Sequence, residues 1–420
     1  MPVHTAAPSV FDANLPTLTY DITETPFEVS GRLREAQQQS PVVMGPVGPE
    51  VLSYEFTRGL LRDTRFVIPP GIHLAAQGVT AGPLWDKVVS SIMCKEGAEH
   101  HRLRSLVSRA FTPRATTRLV NTIDTVINDL VDRVADAGRC DVVADIARSY
   151  PLPVICTLFG APQKDLAAFA EWAEVIFQLA NFETDLVAEQ DAVMKAWAEL
   201  DGYVDGMIDQ RRTSLTDDLL SELIRAEDDG DRLSAEELRM TVASLLMAGT
   251  DTTRNQLSAS VQVLCDHPEQ WARLIEQPDL AMRAVEETMR HSPAVCSTVR
   301  TVSEDVAYGG YTFPAGTFIL LNTFAANRDP DVYDDPDVFD ISRDAPPPIL
   351  TFGGGVHYCL GANLARMELV GALSVLARRM PNPRRLGSAP WKPMLGLSGP
   401  TELIVEFDPT PPPADRKEKR

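Results

Sequence analysis

The chain has 420 residues, 44% of them hydrophobic, and sets 39 basic against 59 acidic side chains for a formal charge of −20. That length is ample for a large core, and the acidic excess argues against nucleic acid or an anionic membrane as the main partner. Six cysteines without a Cys-x-x-Cys pair suit a reducing cytoplasm better than a disulfide framework. No basic-then-apolar leader opens the chain and no run approaches twenty apolar residues, so a cytoplasmic protein with no membrane anchor is expected.

In chain order, residues 1 to about 50 mix Pro, Thr and short apolar pieces, which predicts extended structure around one helix over 29–39. A short helix is expected over 54–61. Residues 67–93 contain Pro69-Pro70-Gly71, Gly78 and Gly82-Pro83, so they form no single regular element. They also hold Ile68, Ile72, Leu74, Trp85, Val89 and Ile92, too many apolar groups for disorder. From Glu99 the pattern is helical: one helix opens at 100–104, others cover 116–137 and 152–159, and a pair covers 163–179 and 188–212 around the break at 180–184. Arg102, Arg104, Arg109, Arg114 and Arg118 fall in a stretch without an acid, either a solvated basic face or a docking patch for an acidic partner.

Ser234-Ala235-Glu236-Glu237 is a capping box, and the helix it starts is expected to continue to Asp266, where His267-Pro268 stops it. At 1.5 Å per residue that is roughly 45 Å, enough to cross a domain. Midway lies Ala248-Gly249-Thr250-Asp251-Thr252-Thr253. A buried helical glycine costs about 1 kcal/mol relative to alanine, and such poor helix material in a core helix points to function. The plain alternative is that Thr252 bonds back to its own helix and Asp251 forms a surface pair. The next helix carries Glu287-Thr288-Met289-Arg290, an i,i+3 pair of a kind that usually contributes little. Residues 299–321 alternate around Gly309-Gly310 and Pro314-Ala315-Gly316, which reads as short hairpins, and 327–350 are dense in Asp and Pro, an irregular meander. Residues 409–420, PTPPPADRKEKR, lack core-forming groups and are expected to be a disordered tail on a single domain over 1–408. The fold class expected is mainly α with a small β-rich part.

The most informative stretch is 352–366, FGGGVHYCLGANLAR. It is a glycine-rich loop ending in a lone cysteine at the mouth of a helix expected over 360–376. By itself Cys359 reads as a small buried hydrophobe, or as a thiolate favoured by the helix N-terminus. Zinc or an iron–sulfur cluster would need further cysteines at fixed spacing.

Phe352, Gly353, Gly355, His357, Cys359, Gly361, Leu364, Ala365 and Arg366 reproduce Phe-Gly-x-Gly-x-His-x-Cys-x-Gly-x-x-Leu-Ala-Arg. In this the chain resembles the cytochrome P-450 family, and the likeness runs from end to end. The resemblance implies haem b (iron protoporphyrin IX) held between the long helix and the cysteine loop, with Cys359 as axial thiolate, the ligand that pushes electron density onto iron. Phe352 and Gly353 would shape the sulfur side, and Ala248 and Gly249 would leave room for dioxygen and substrate. Asp251 and Thr252 would deliver protons. His100, Arg104, Arg300 and His357 would hold the propionates, with His101 a neighbouring rival to His100. Glu287 and Arg290, joined by Arg343, would lock the fold and take no part in catalysis.

Leu245, Val295, Cys296, Val299 and Leu397 are the pocket candidates, and their apolar character implies a small hydrophobic substrate. The activity implied is a soluble bacterial-type monooxygenase using O2 and electrons from a ferredoxin with an NAD(P)H-dependent reductase. A peroxide-driven peroxygenase and a non-catalytic haem-thiolate sensor are the alternatives.

Overall fold

The structure is a computed structural model and describes residues 7–108, 111–180, 185–228 and 233–411. Local chemistry sets most element ends. Thr25 and Glu28 close a capping box before helix α1 (Pro26–Gln39). Short helices α2 (Tyr54–Leu60) and α3 (Pro83–Val89) follow, the second with proline in its first turn. Then come α4 (Gly97–Ser108), α5 (Val120–Asp132) and α6 (Pro151–Phe159), which ends on Gly160 at φ 72°. The pair expected around 180–184 is α7 (Leu166–Ile176) and α8 (Leu186–Thr213), and residues 181–184 lie outside those described. Next in order are α9 (Leu219–Asp228), α10 (Ala235–Ala248), α11 (Asp251–Asp266), α12 (Pro268–Glu276), α13 (Ala281–His291) and α14 (Ala362–Arg379).

One expectation is corrected here. The capping box starts α10 as predicted, Glu237 N–H donating to Ser234 Oγ at 3.1 Å, but the helix does not run unbroken to Asp266. It stops at Ala248 and restarts at Asp251. Thr250 sits at φ −97°, ψ −65° and turns its hydroxyl onto the Met247 carbonyl at 2.9 Å, while the Thr252 hydroxyl donates to the Ala248 carbonyl at 3.2 Å. Hydroxyls competing for helix carbonyls beside a glycine weaken the ladder at this point.

The β part is small. A five-stranded sheet has the order β1 (Val42–Gly45), β2 (Gly48–Val51), β8 (Phe318–Leu321), β5 (Thr298–Val302), β3 (Phe66–Val67), and β2 pairs with β8 in parallel. β4 (Arg139–Asp141), β10 (Ile404–Glu406) and β9 (Arg384–Arg385) make a second sheet, and β6 (Val306–Tyr308) with β7 (Tyr311–Phe313) the expected hairpin. Three buried apolar clusters result: one among the helices, one around Tyr54, Phe56, Phe66 and Phe313 on the five-stranded sheet, and one under α1. Among the described residues a single stretch, Val142–Phe159, is apolar and long enough to cross a membrane by composition. It is broken into π, 3-10 and α turns, and more than half of it is buried. Of the expected tail, residues 412–420 lie outside those described.

For the site, the decisive packing is that of α14 against α5, α11 and α13, which brings the helix after Cys359 alongside the helix that starts at Asp251.

Candidate active site

The cysteine loop is shaped by glycine where glycine is needed. Gly353 and Gly355 lie at φ 71° and 63°, and a Cβ on Gly355 would sit 2.3 Å from the Leu61 carbonyl oxygen. The object approached so closely is therefore the end of α2. The Cys359 N–H donates to the Phe352 carbonyl at 2.9 Å and closes the loop. Arg104 reaches across from α4 to the Tyr358 carbonyl. Arg366 lies 4.4 Å over the Phe352 ring, pairs with Glu286 at 2.5 Å and donates to the Tyr358 hydroxyl at 3.1 Å.

Cys359 is exposed, yet the atoms packed round it push the thiol up against the Gly361 N–H, Arg104 and Arg366, which act to lower it. A coordinated metal would deprotonate the sulfur outright.

Beside this loop a basic cradle forms. His100 is 2% exposed, and its Nδ1 has no hydrogen-bond partner. Its ring lies 4.3 Å from that of His357, and burial, then His357, then Arg104 lower its pKa to about 4. His101 stands at the exposed side of α4, which settles the choice between the two neighbours for a buried role. Arg300 is 3% exposed and donates to the Val299 carbonyl at 2.7 Å and to Thr298, with no carboxylate at ion-pair distance among the described residues. Burial pushes its guanidinium down to about 10, opposed by Glu96. Glu96 itself accepts from His357 Nε2 at 3.0 Å and from the Ile68 N–H at 2.9 Å.

A buried guanidinium short of a carboxylate and a buried imidazole nitrogen without a partner are what two propionates would satisfy. No cluster of three His, Cys, Asp or Glu could hold a metal by itself among the described residues. The donor set thus fits a macrocycle anchored through one sulfur.

At the break between α10 and α11, Asp251 is 7% exposed and Arg254 clasps it through Nε at 2.7 Å and Nη2 at 3.1 Å. Burial pushes the Asp251 pKa up; Arg254 and Lys392 oppose, and Glu174 adds to the rise. The contacts of the plain alternative are thus present, but Asp251 is buried and its pair is no surface pair. Ala248 is exposed, and Leu245 and Thr252 are partly so, which places 245, 248 and 252 on one open face. Gly249 has another reason to be small: a Cβ there would come within 3.1 Å of Ile155 on α6.

Glu287 and Arg290 make a buried two-bond pair at 2.7 and 2.8 Å, and Arg343 Nε lies 3.5 Å from Glu287. Arg290 also donates to the Asn327, Pro336 and Val338 carbonyls, which pins the meander to α13.

Among the pocket candidates, Val295 bridges to Leu397, and these two and Val299 keep partial exposure. Cys296 is fully buried in the cluster under α1, with Leu18, Tyr20, Val29 and Phe324. The basic run is also thinner than its spacing suggests. Arg102 pairs with Glu237, and Arg118 with Glu222 at 3.0 Å; Arg109 and the Arg114 side chain lie outside the described residues. Sequence reasoning missed Glu96, Glu286, Asn255, Gln256 and Lys392. Gln256 accepts from the Ala294 N–H at 2.9 Å and donates to the Ser292 carbonyl at 3.2 Å, which ties α11 to the turn bearing Val295. Two surface clefts, about 190 Å³ beside Trp391 and about 80 Å³ beside Arg34, contain none of the site residues.

The architecture is mainly helical with a small β part. The sequence pattern of the family described as Cytochrome P450 matches residues 88–379, and the chain belongs to that family. It is 34% identical over 403 residues to luteothin monooxygenase of Streptomyces thioluteus, covering 94% of this chain and 97% of that one. To the mycinamicin IV hydroxylase/epoxidase of Micromonospora griseorubida it is 38% identical, covering 90% and 95%. The crystal structure of CalO2 superposes with a TM-score of 0.86 at 31% identity, over 93% of this chain and 99% of that one. The protein is a P450 monooxygenase, an oxidoreductase of the bacterial P450 type.

Proposed function

We propose that this enzyme inserts one oxygen atom of O2 into a small hydrophobic substrate, by hydroxylation or epoxidation. Its electrons come from an iron–sulfur ferredoxin fed by an NAD(P)H-dependent reductase. The observation that carries the reading is the pairing of buried Asp251 with Thr252 at the break in the α10–α11 helix, beside the open face at Ala248.

In this reading Cys359 would hold the haem iron through its sulfur, and His100, Arg104, Arg300 and His357 would hold the propionates. Haem b, when bound, would supply the iron that dioxygen activation needs, and the Cys359 thiolate would push electron density onto it. The protein supplies position and protons. The Thr252 hydroxyl gives its hydrogen to the Ala248 carbonyl, which leaves the oxygen's lone pairs open to accept. Asp251, one residue earlier, picks up a proton from solvent and hands it on toward Thr252, a task suited to a carboxyl whose pKa burial has raised. Leu245, Val295, Val299 and Leu397 offer apolar surface for the substrate and exclude water from it. With Arg102 and Arg118 already paired to acids, the electron donor rests on the family's chemistry and less on a free basic patch.

Product formed per NAD(P)H consumed, measured with a ferredoxin and reductase, tests the relay. Thr252→Ala should release hydrogen peroxide in place of product, with NAD(P)H consumption largely kept. Full coupling in that variant would refute the assignment.

A further inference from the structure

The C-terminal turn brings a second cation to the first turn of the helix that carries the buried acid. Lys392 Nζ donates to Asn255 Oδ1 at 2.9 Å, and Asn255 Nδ2 donates to the Asp251 carbonyl at 2.8 Å. Asn255 is 3% exposed, and its amide is held at both ends by the bonds to Lys392 and to the Asp251 carbonyl. The segment presenting Lys392 is equally fixed. Its N–H donates to the Gly399 carbonyl at 3.0 Å, Trp391 Nε1 donates to Gln262 at 2.6 Å, and the Met394 N–H donates to the Glu24 carbonyl at 2.9 Å.

Lys392 forms no ion pair at contact distance among the described residues, although it is half-buried. The carboxylate acting on it is Asp251. Holding an ammonium partly out of water against a neutral amide is costly, and a rigid loop spends that cost beside the one acid the mechanism uses.

We propose that Lys392 is a positioning residue for proton delivery: Asn255 holds its ammonium beside the first turn of α11, and its charge there keeps Asp251 ionised between turnovers. The acid is then free to take a proton from water and release it toward Thr252 without retaining it. No electrons move in this step; one O–H bond of water or hydronium breaks as one forms on the carboxylate. This inference rests on the reading of Asp251 as the relay acid. The charges facing Asp251 are Arg254 on its own helix, Lys392 from the C-terminal turn and Glu174 from α7, and Arg148 acts on Lys392. Without Lys392, Arg254 alone opposes burial and Glu174, so the proton stays on Asp251 to higher pH.

The test is made on the full-length holoenzyme with its redox system. Product per NAD(P)H is followed against pH for wild type, Lys392→Met, Lys392→Gln and Lys392→Arg, each also in an Asp251→Asn background. The infrared carboxyl band that Asp251→Asn removes is titrated in parallel in the resting protein. Lys392→Met should move both midpoints to higher pH, by up to about 1 unit. Lys392→Gln, which keeps a donor for Asn255, should move them as far, Lys392→Arg should restore them, and the Asp251→Asn background should show no shift. Unmoved midpoints in both charge-removing variants would overturn the proposal while Asp251→Asn still uncouples. If Asp251→Asn stays fully coupled, the relay reading falls instead.

Discussion

Cys359 shows how far a single residue's role depends on what it meets. Its thiol is pushed up by its surroundings; as the ligand proposed above it would rely on its exposure and on the Arg104 and Arg366 cations beside it, which would stabilise the anion once a metal displaced the proton. Cys359→Ser should fold, because the loop is closed by backbone bonds, yet lose the strongly red-shifted absorption of the ferrous–CO complex. Persistence of that band would remove Cys359 as ligand. This residue was legible in the sequence because its signature is local: fifteen consecutive positions carry it. Glu96 was not, since its partner His357 is 261 positions away and no pattern along the chain joins them. The same distance hid Lys392, whose partner Asn255 is 137 positions off. Cys296 packs under α1 while Val295 keeps partial exposure. Proximity in sequence to Val295 said nothing about which face it turns to.

At the scale of elements, helices and hairpins with caps and turn residues were readable, including the box at Ser234 and the glycine turns near 309 and 316. The interruption after Ala248 was half readable. Poor helix formers marked the place, but whether a core helix absorbs them or breaks depends on packing that the sequence does not display, here Ile155 pressed against Gly249. The cysteine loop permits a contrast between neighbouring glycines. Gly355→Ala places a Cβ on the Leu61 carbonyl at positive φ and should cost about 1–3 kcal/mol, read as a lower denaturation midpoint. Gly361→Ala, at φ −81° with nothing within 4 Å, should stay within about 0.5 kcal/mol of wild type. Equal losses at both positions would mean that the loop does not rest on α2 as described.

For the whole molecule, pH acts through groups far from the site. Glu50 is fully buried between Tyr20, which donates at 3.0 Å, and Asn322, which donates at 2.7 Å, with no cation at hand. Burial raises its pKa from 4.5 to about 7, and the two hydrogen bonds only partly offset this. Since the folded value lies above the unfolded one, the protonated carboxyl's contribution is complete below pH 4.5 and is lost as pH climbs through 7. Glu50→Gln keeps an acceptor for Asn322 and removes the ionisation. The variant should therefore gain on wild type between pH 4.5 and 7, by about 3 kcal/mol in total, followed by denaturant unfolding across that range. A difference that is constant with pH would show that Glu50 does not titrate there. His291 works in the other direction: burial and Arg328 hold its imidazole down to about 2, so its contribution is complete above 6.5 and declines as the solution is acidified.

The interruption after Ala248 also divides loyalties within the molecule. The segment before it is tied outward: Arg239 pairs with Asp205 on α8, and Glu237 with Arg102 on α4. The segment after it belongs to the deep interior, packed on α14 and α13 and stitched by Gln256 to the turn before Val295. An unbroken rod would carry any shift of the outer helices straight to the acid and the hydroxyl. Two residues, Gly249 and Thr250, stand between these two sets of contacts, so each helix keeps its own partners on its own side of the break.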